Sequence, residues 1–365
     1  MAQLPKHTNL ILPTVIVLCL AYYNYASAYV VGFKEIYKHH SRAGAIVVWV
    51  LEGILQLALL ASWSLILLKG PGKTPRIPLF DIYDTKDPDL SPVPDIFLCD
   101  KHGYPYWCSA CDSIKPKRSF HIRSLNRCVP RFDHKCVWVG TSVGRDNLLF
   151  FIHFLIQFGS LFVIALVPAA VTVKSAFDRD TRNLPHYIVI FVCSVLWLPM
   201  IFGLLLQQIA FAATNRTTID DISMKQARKY SEWKKGDESK LPKCLRNNIQ
   251  RKETGERYVN LRIKDTRWVV PFSVQDHPYS DGFKRNLSRI VFDTDDDFRF
   301  GLSLFYIVIP FASVFIKRQG EDIKTYDNAS EPFSERFLKL IDEKISRGEC
   351  SIPSYLQGKE SSAQA

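Results

Sequence analysis

The sequence predicts an α-helical integral membrane protein with four transmembrane helices, a cysteine-rich polar loop between the second and third, and a small α+β tail. Three observations carry this prediction. The apolar residues, 47% of the 365, are bunched into four long runs, while the charges lie between and after them, as in a chain whose helices face lipid. Each run is long enough, at about 1.5 Å of rise per residue, to cross a hydrocarbon core of about 30 Å. Five of the nine cysteines, Cys99, Cys108, Cys111, Cys128 and Cys136, crowd into one polar stretch.

The first span runs from about Asn9 to Phe33. Ala26-Ser27-Ala28 also resembles the cleavage site of a signal peptide, but the apolar run is longer than a usual signal core and continues past that point. Span two covers Ala43 to Leu68, span three Leu148 to Val173 and span four His186 to Ala213. The chain therefore divides into 1–68 with two spans, 69–147 with the polar linker and cysteine-rich segment, 148–213 with two more spans, and the tail 214–365. Lys69 to Asn147 carries thirteen Lys and Arg, and the tail many more, so the positive-inside rule places both on the cytosolic side. Glu52 lies within span two, where an ionised carboxylate costs about 2.5–3.5 kcal/mol and should turn toward other helices or water. Proton transport is one reading of it; a lone carboxyl with no acidic partner in the other spans is the plainer one. Gly301 to Phe315, interrupted by Pro310, is short for a span and is expected to lie at the interface.

A net charge of +11 suits a surface facing anionic lipid or phosphate-bearing ligands. It would suit nucleic acid too, but no arginine-rich helix or base-stacking aromatic motif supports that partner. Glu52, Asn24 and a few glutamines are too few polar groups in the spans for a solute transporter.

Within the loop, Cys108-x2-Cys111, His121 and Cys128 offer three thiolates and one imidazole, a set that closes a tetrahedral structural zinc site. On the cytosolic side such spacing points to metal binding rather than disulfides. Asp133-His134-Lys135-Cys136 follows. A thiol with a free pKa of about 8.5 is mostly protonated at neutral pH, so a nucleophilic cysteine needs a base nearby. His134 can be that base, Asp133 can hold its tautomer, and Lys135 can add a favourable field.

These residues resemble the cysteine-rich domain of the Asp-His-His-Cys family of protein S-acyltransferases. The likeness is close from Cys108 to Phe151 and includes Lys115-Pro116, Arg118, His121, Asn147 and Phe151. Thr217-Thr218-Ile219-Asp220 is similar to the family's Thr-Thr-x-Glu motif, with aspartate in the last place. The resemblance implies that Cys136 takes a long acyl chain, palmitate above all, from acyl-CoA as a thioester and passes it to a cysteine of a substrate protein. It implies a cavity for the chain among the four helices, with Trp138 against thioester and chain; anchoring at the membrane interface is the other reading of Trp138. Lys115, Lys117, Arg118, Arg123, Arg127 and Arg131 form a positive field suited to CoA phosphates or lipid headgroups.

The departures are informative. The family usually binds a second zinc, and its four ligand positions here hold Ile122, Leu125, Lys135 and Ser142. All four are replaced while the first set and Asp133, His134 and Cys136 are kept, which implies one structural zinc per chain, with Ile122 and Leu125 packing where ligands would bind. Cys99 and His102 offer only two ligands toward a replacement. Val137 stands where a proline usually follows the nucleophile. The competing function is a catalytically inactive membrane scaffold whose zinc loop binds partner proteins.

In the tail, Tyr258 to Ile263 alternates like a strand. Phe333, Phe337, Ile341 and Ile345 recur at helical spacing, with Gly348 placed to end that helix. The expected partners are the bilayer, acyl-CoA and membrane-associated substrate proteins, in the plasma membrane or an endomembrane; nothing in the residues identifies an accessory subunit.

Overall fold

The computed structural model describes residues 8–234, 256–292, 300–308 and 325–357. The described chain separates into two compact units. The first comprises Met1–Pro71, Lys135–Ala212 and Leu287–Lys317; the second comprises Gly72–His134, Ala213–Asn286 and Arg318–Ala365.

The first unit holds four helices long and apolar enough to cross a membrane, Ile11–His40, Arg42–Lys69, Leu148–Arg179 and Thr181–Ala213. They include α1 (Thr8–Asn24), α2 (Arg42–Lys69), α3 (Leu148–Arg179) and α4 (Leu184–Ala213). Each reaches beyond or to the edge of its apolar run, because Lys34, Lys38, Lys69, Lys174 and Arg179 can bury their stems while the charge reaches the interface. The first span differs most from expectation. It does not stop near Phe33 but continues to His40, and Tyr25–His40 winds in the wider turns of a π-helix. In those turns Tyr25, Tyr29, Phe33 and Tyr37 stack as a ladder, with centroids 5.5, 5.7 and 5.6 Å apart. Trp49 of α2 leans on Phe33 and Tyr37 and donates Nε1–H to the Ala28 carbonyl at 2.9 Å. A Cβ at Gly32 would come within 2.5 Å of that indole nitrogen, so only glycine permits the approach.

Polar contacts tie the spans together. Tyr23 of α1 bonds Ser194 of α4 at 3.0 Å and packs its ring on Phe162 of α3. Glu35 is paired with Arg179, accepts from Ser175 at 2.7 Å and meets His40 at 3.0 Å, clasping the end of the first span to the end of the third. Within apolar spans, buried groups such as Tyr23, Ser194 and Glu35 are satisfied by side chains of neighbouring spans.

The second unit is built on small sheets. β1 (Ile96–Cys99), β8 (Glu256–Ile263) and β9 (Thr266–Ser273) form an antiparallel sheet in the order β1-β8-β9, so a strand before span three pairs with strands after span four. Leu98, Val259, Val270 and Phe272 on this sheet pack against Phe333, Phe337 and Ile341. The last two lie on the helix Glu335–Ser346, which Ser334 caps and which ends at Gly348 with φ +74°. Two hairpins precede the site: β2 (Trp107–Cys108) with β3 (Ser113–Ile114), and β4 (Phe120–Ile122) with β5 (Arg127–Val129). The chain passes back to the first unit at β6 (His134–Cys136), which β7 (Thr141–Val143) follows. Of the apolar segment Gly301 to Phe315, only the helix Phe300–Val308 is described; Pro310 and Phe315 lie outside the described residues.

Candidate functional site

In the second unit, the two hairpins bring the metal-type residues together. Cys108 ends β2 and Cys111 sits in the turn that follows, its N–H donating to the Cys108 carbonyl at 3.2 Å. His121 and Cys128 are directly opposite each other on β4 and β5. The four ligand atoms lie within 4.8 Å of one another, with His121 Nδ1 3.5 Å from Cys108 Sγ and 3.2 Å from Cys111 Sγ. Three thiols and an imidazole converging at this separation fit a single tetrahedral metal ion. Among the described residues this is the one such group. Cys99 is instead wholly buried in β1, and His102 bonds Ser354 at 3.2 Å, so the two form no metal cluster.

Asp133 is almost fully buried and holds His134: its Oδ2 lies 2.7 Å from His134 Nδ1. Thr218, 85 residues on, donates its N–H to Asp133 Oδ1 at 2.7 Å and its hydroxyl to Oδ2 at 2.8 Å. Burial raises the Asp133 carboxyl, but the bond and charge of His134 and the two bonds from Thr218 outweigh it, and the net effect is below the ordinary carboxylate value. The Asp133 carboxylate therefore fixes the imidazole tautomer with Nδ1 toward itself.

Thr218 is positioned by a reciprocal cap at the start of α5 (Thr218–Lys234). The Thr217 N–H donates to Asp220 at 3.1 Å, and the Asp220 N–H donates to the Thr217 hydroxyl at 3.2 Å. This is a capping box with the acidic residue shortened to aspartate. The Thr-Thr-x-Asp stretch thus starts the helix and presents Thr218 to Asp133.

Asp220 also faces a buried charge cluster. Arg118 pairs with both Asp220 and Glu331, donates to the Asn215 side chain at 3.0 Å and its carbonyl at 3.1 Å, and lies over the Tyr279 ring at 4.6 Å. Arg131 pairs with Glu331 at 3.1 Å and bonds Asn215 at 2.6 Å. Burial raises the Glu331 carboxyl, yet the two arginines bring it down to about 2. Arg118, Arg131 and Asn215 all hold left-handed backbone, with φ of +58°, +42° and +45°. For residues with a Cβ, such conformations persist where surrounding contacts over-determine them.

This arrangement corrects the expectation that Arg118 meets CoA phosphates: its guanidinium is buried and committed to two carboxylates and Asn215. Lys117 and Arg131 are also buried and leave the expected positive surface, Arg131 through its pair with Glu331. Lys117 is buried with its ammonium 4.1 Å from the Phe333 ring centre, and burial lowers it to about 8. Lys115 is half-buried and Arg123 exposed, so these remain at or near the surface.

In the first unit, Cys136 is buried and belongs to the same apolar cluster as Trp63, Leu148, Phe150, Phe151 and Phe158 of the spans. The residues after it are fastened down from two sides. Trp63 of α2 donates its indole N–H to the Val139 carbonyl at 3.1 Å, and Trp138 meets Trp197 of α4 edge to face at 5.3 Å. Trp138 keeps 39% of its surface exposed. Asn147 is wholly buried before α3; it donates to the carbonyls of Ser142 at 3.0 Å and Ile66 at 3.3 Å and accepts from the Gly144 N–H at 2.9 Å. One side chain thus joins the loop to the end of α2. Among the positions of the absent second ligand set, Ile122 and Leu125 are half-buried, Ser142 is buried and Lys135 is exposed.

Sequence reasoning did not foresee Asn215, Tyr279 or Glu331, which no local pattern distinguishes. Thr218 was visible as part of a motif, but its bond to Asp133 depends on a contact across 85 residues.

Comparison with known proteins shows the family. The family model described as DHHC palmitoyltransferase matches residues 101–225. The chain is similar to palmitoyltransferase PFA5 of Candida albicans, 36% identical over 96% of this chain and 93% of that protein. It is also similar to palmitoyltransferase PFA5 of Saccharomyces cerevisiae, 26% identical over 93% of this chain and 91% of the relative. The Kluyveromyces lactis palmitoyltransferase PFA5 is 32% identical over 61% of this chain and 66% of its own length.

Proposed function

Since this chain belongs to the DHHC palmitoyltransferase family and is a protein S-palmitoyltransferase, we propose that Cys136 is the thiol that carries the acyl group, with His134 as base and Asp133 as the residue that orients it. The observation that carries this assignment is the Asp133–His134 pair, locked from behind by Thr218, two residues before a cysteine packed among span residues.

In the first step the Cys136 proton passes to His134 Nε2, and the sulfur attacks the thioester carbonyl of acyl-CoA. The bond to the CoA sulfur breaks, and that thiolate takes the proton back from the imidazolium. In the second step a substrate cysteine gives its proton to His134 and attacks the Cys136 thioester; the bond to the Cys136 sulfur breaks, and that thiolate takes the proton back from the imidazolium. One thioester replaces another in each step, so catalysis consists of thiolate formation, proximity and a place for the chain. Burial of Asp133 strengthens its hold on the imidazolium that forms in each step.

The apolar packing around Cys136 supports delivery of the acyl chain from among the spans, each buried methylene contributing about 0.8 kcal/mol. Trp138 is assigned to the thioester and the first carbons of the chain, and Lys115 with Arg123 to the CoA phosphates. Cys108, Cys111, His121 and Cys128 would hold one zinc ion, which supplies structural closure of the hairpins rather than chemistry at Cys136. The positive charge of residues 69–147 supports a cytosolic active site, in a plasma or internal membrane.

The test is incubation of purified protein with a clickable palmitoyl-CoA analogue, scoring hydroxylamine-sensitive label on the chain. Label on wild type that is absent from Cys136→Ala supports the assignment. Label that persists on the variant assigns the acyl group to another cysteine. No observation favours the inactive-scaffold reading.

A further inference from the structure

Within the first unit, the loop after Cys136 is held by a residue of span two. Cys136 ends β6, and β7 is its partner strand, so Val137, Trp138, Val139 and Gly140 form the loop that joins them. The first two face outward, Val137 being 40% and Trp138 39% exposed. Val139 is buried, and Gly140 turns the chain with φ +83°, where a Cβ would be strained. The Val139 carbonyl accepts the Trp63 indole N–H at 3.1 Å, although the two residues are 76 positions apart.

Trp63 is itself firmly placed. It lies six residues before Lys69 at the end of α2, about 9 Å from that end. The side chain is buried, its ring stands edge to face on Phe154 of α3 at 5.5 Å, and both rings share the apolar cluster that contains Cys136. An indole N–H can only donate, and a buried carbonyl must be paired. Without that N–H the Val139 carbonyl would turn toward another donor and carry the loop with it. Asn147 also fastens this hairpin, but at the Ser142 carbonyl beyond the loop, six residues from the thiol. Trp63 grips it three residues from the thiol.

Acyl transfer is sensitive to such a grip. One thioester replaces another, so the rate depends on bringing the sulfur to the carbonyl carbon at about 3–3.5 Å and along the right direction. Resting on the assignment of Cys136 as the acyl carrier, we propose that Trp63 is a positioning residue for acyl transfer: its N–H holds the Val139 carbonyl, and through the loop it aims the Cys136 sulfur at the bound thioester. This contribution runs through the backbone. It therefore belongs to the transfer step, and neither to the affinity for acyl-CoA nor to the reactivity of the thiol toward a small reagent that needs no alignment.

The experiment follows single-turnover thioester formation in the full-length protein over a range of palmitoyl-CoA concentrations, beside alkylation of Cys136 by iodoacetamide with Cys136→Ala as the blank. Trp63→Phe keeps a ring against Phe154 and loses the donor. It should slow thioester formation at saturating palmitoyl-CoA about 10- to 100-fold, with the half-saturating concentration within about twofold of wild type and alkylation not slowed. Trp63→benzothienylalanine keeps the bicyclic shape and lacks only the N–H; it should reproduce the loss, and it decides the question if Trp63→Phe fails to fold. A wild-type rate in the benzothienylalanine variant would overturn the proposal. So would a raised half-saturating concentration with an unchanged saturated rate, which assigns Trp63 to binding, or alkylation slowed by the same factor as transfer, which assigns it to the fold around the thiol. Label that persists in Cys136→Ala overturns the assignment of the thiol itself, whereas Cys136-dependent label that forms at the wild-type rate without the Trp63 N–H overturns this inference alone.

Discussion

Two groups of cysteines in one short stretch are put to different uses by what surrounds them. Cys108, Cys111 and Cys128 look inward at one another and at His121, all ligand atoms within 4.8 Å. Cys136, eight residues beyond Cys128, has apolar span residues around it and a carboxylate-held histidine two residues before it. Sulfurs that share a centre can stabilise one another's thiolates through a metal; on the proposed assignment, the sulfur set apart from them is the one left free to carry the acyl group. Spacing alone could have drawn Cys136 into a metal site. The lesson is that the hairpin pairing of His121 with Cys128 closes the ligand set at four.

The largest test of this contrast exchanges the fates of the two groups. Cys136→Ala should abolish thioester formation while leaving one bound zinc per chain by elemental analysis and an unchanged melting temperature. Cys128→Ala, or a strong chelator, should release the metal and unfold the hairpins, since structural zinc binding is about 10–16 kcal/mol of folding free energy in small zinc domains. A Cys128→Ala protein that keeps its metal and its label would break the comparison.

Next in size is the support of the histidine. Asp133→Asn removes the charge that stabilises the imidazolium and disturbs its tautomer, and should slow thioester formation about 10²- to 10⁴-fold with metal content intact. Single-turnover rates with palmitoyl-CoA measure it. A rate within a few-fold of wild type would mean that Asp133 serves the fold alone.

The buried charge cluster ties Arg118 and Arg131, which flank the second hairpin, to Asp220 and Glu331 of the tail. Glu331→Gln leaves Arg118 and Arg131 short of a carboxylate and should destabilise the second unit by about 3–5 kcal/mol, measured as a shift in chelator or denaturant midpoint. The same carboxylate predicts an acid response. Its folded pKa of about 2 lies below the ordinary value of 4.5, so its stabilisation is fully present above pH 4.5 and is lost as pH falls from there toward 2. Asp133 and Asp220 are shifted in the same direction and add to the loss in acid. Glu331→Gln should therefore flatten the pH dependence of stability below 4.5, measured by denaturant titration at each pH.

The smallest expected effect sharpens the link between the two groups. Thr217→Ala removes half of the capping box and should cost about 1 kcal/mol, seen as a modest fall in melting temperature. Thr218→Ala keeps the box and removes one bond to Asp133, so it should slow thioester formation more than it lowers stability. Equal effects of the two substitutions on rate would show that the helix start, not Thr218, matters to the site.

Much of the molecule was legible in the residues because the relevant signals are local. A run of apolar residues long enough to cross a bilayer, a CxxC pair with a histidine and a further cysteine, and an Asp-His beside a cysteine each state their chemistry within a few positions. The strand at Glu256–Ile263 and the helix at Glu335–Ser346 likewise follow from periods of two and 3.6. By itself, then, the sequence determined the four spans, the four-ligand set and the residues able to act as nucleophile and base, since length, period and spacing need no partner. Only the tertiary structure decided that Arg118 is an internal cation, that Thr218 holds Asp133, and that the first span winds as a π-helix against Trp49. Those outcomes rest on contacts between residues tens to hundreds of positions apart: a guanidinium reads the same in a sequence whether it meets a phosphate or a buried carboxylate, and only the folded chain brings Glu331 to Arg118.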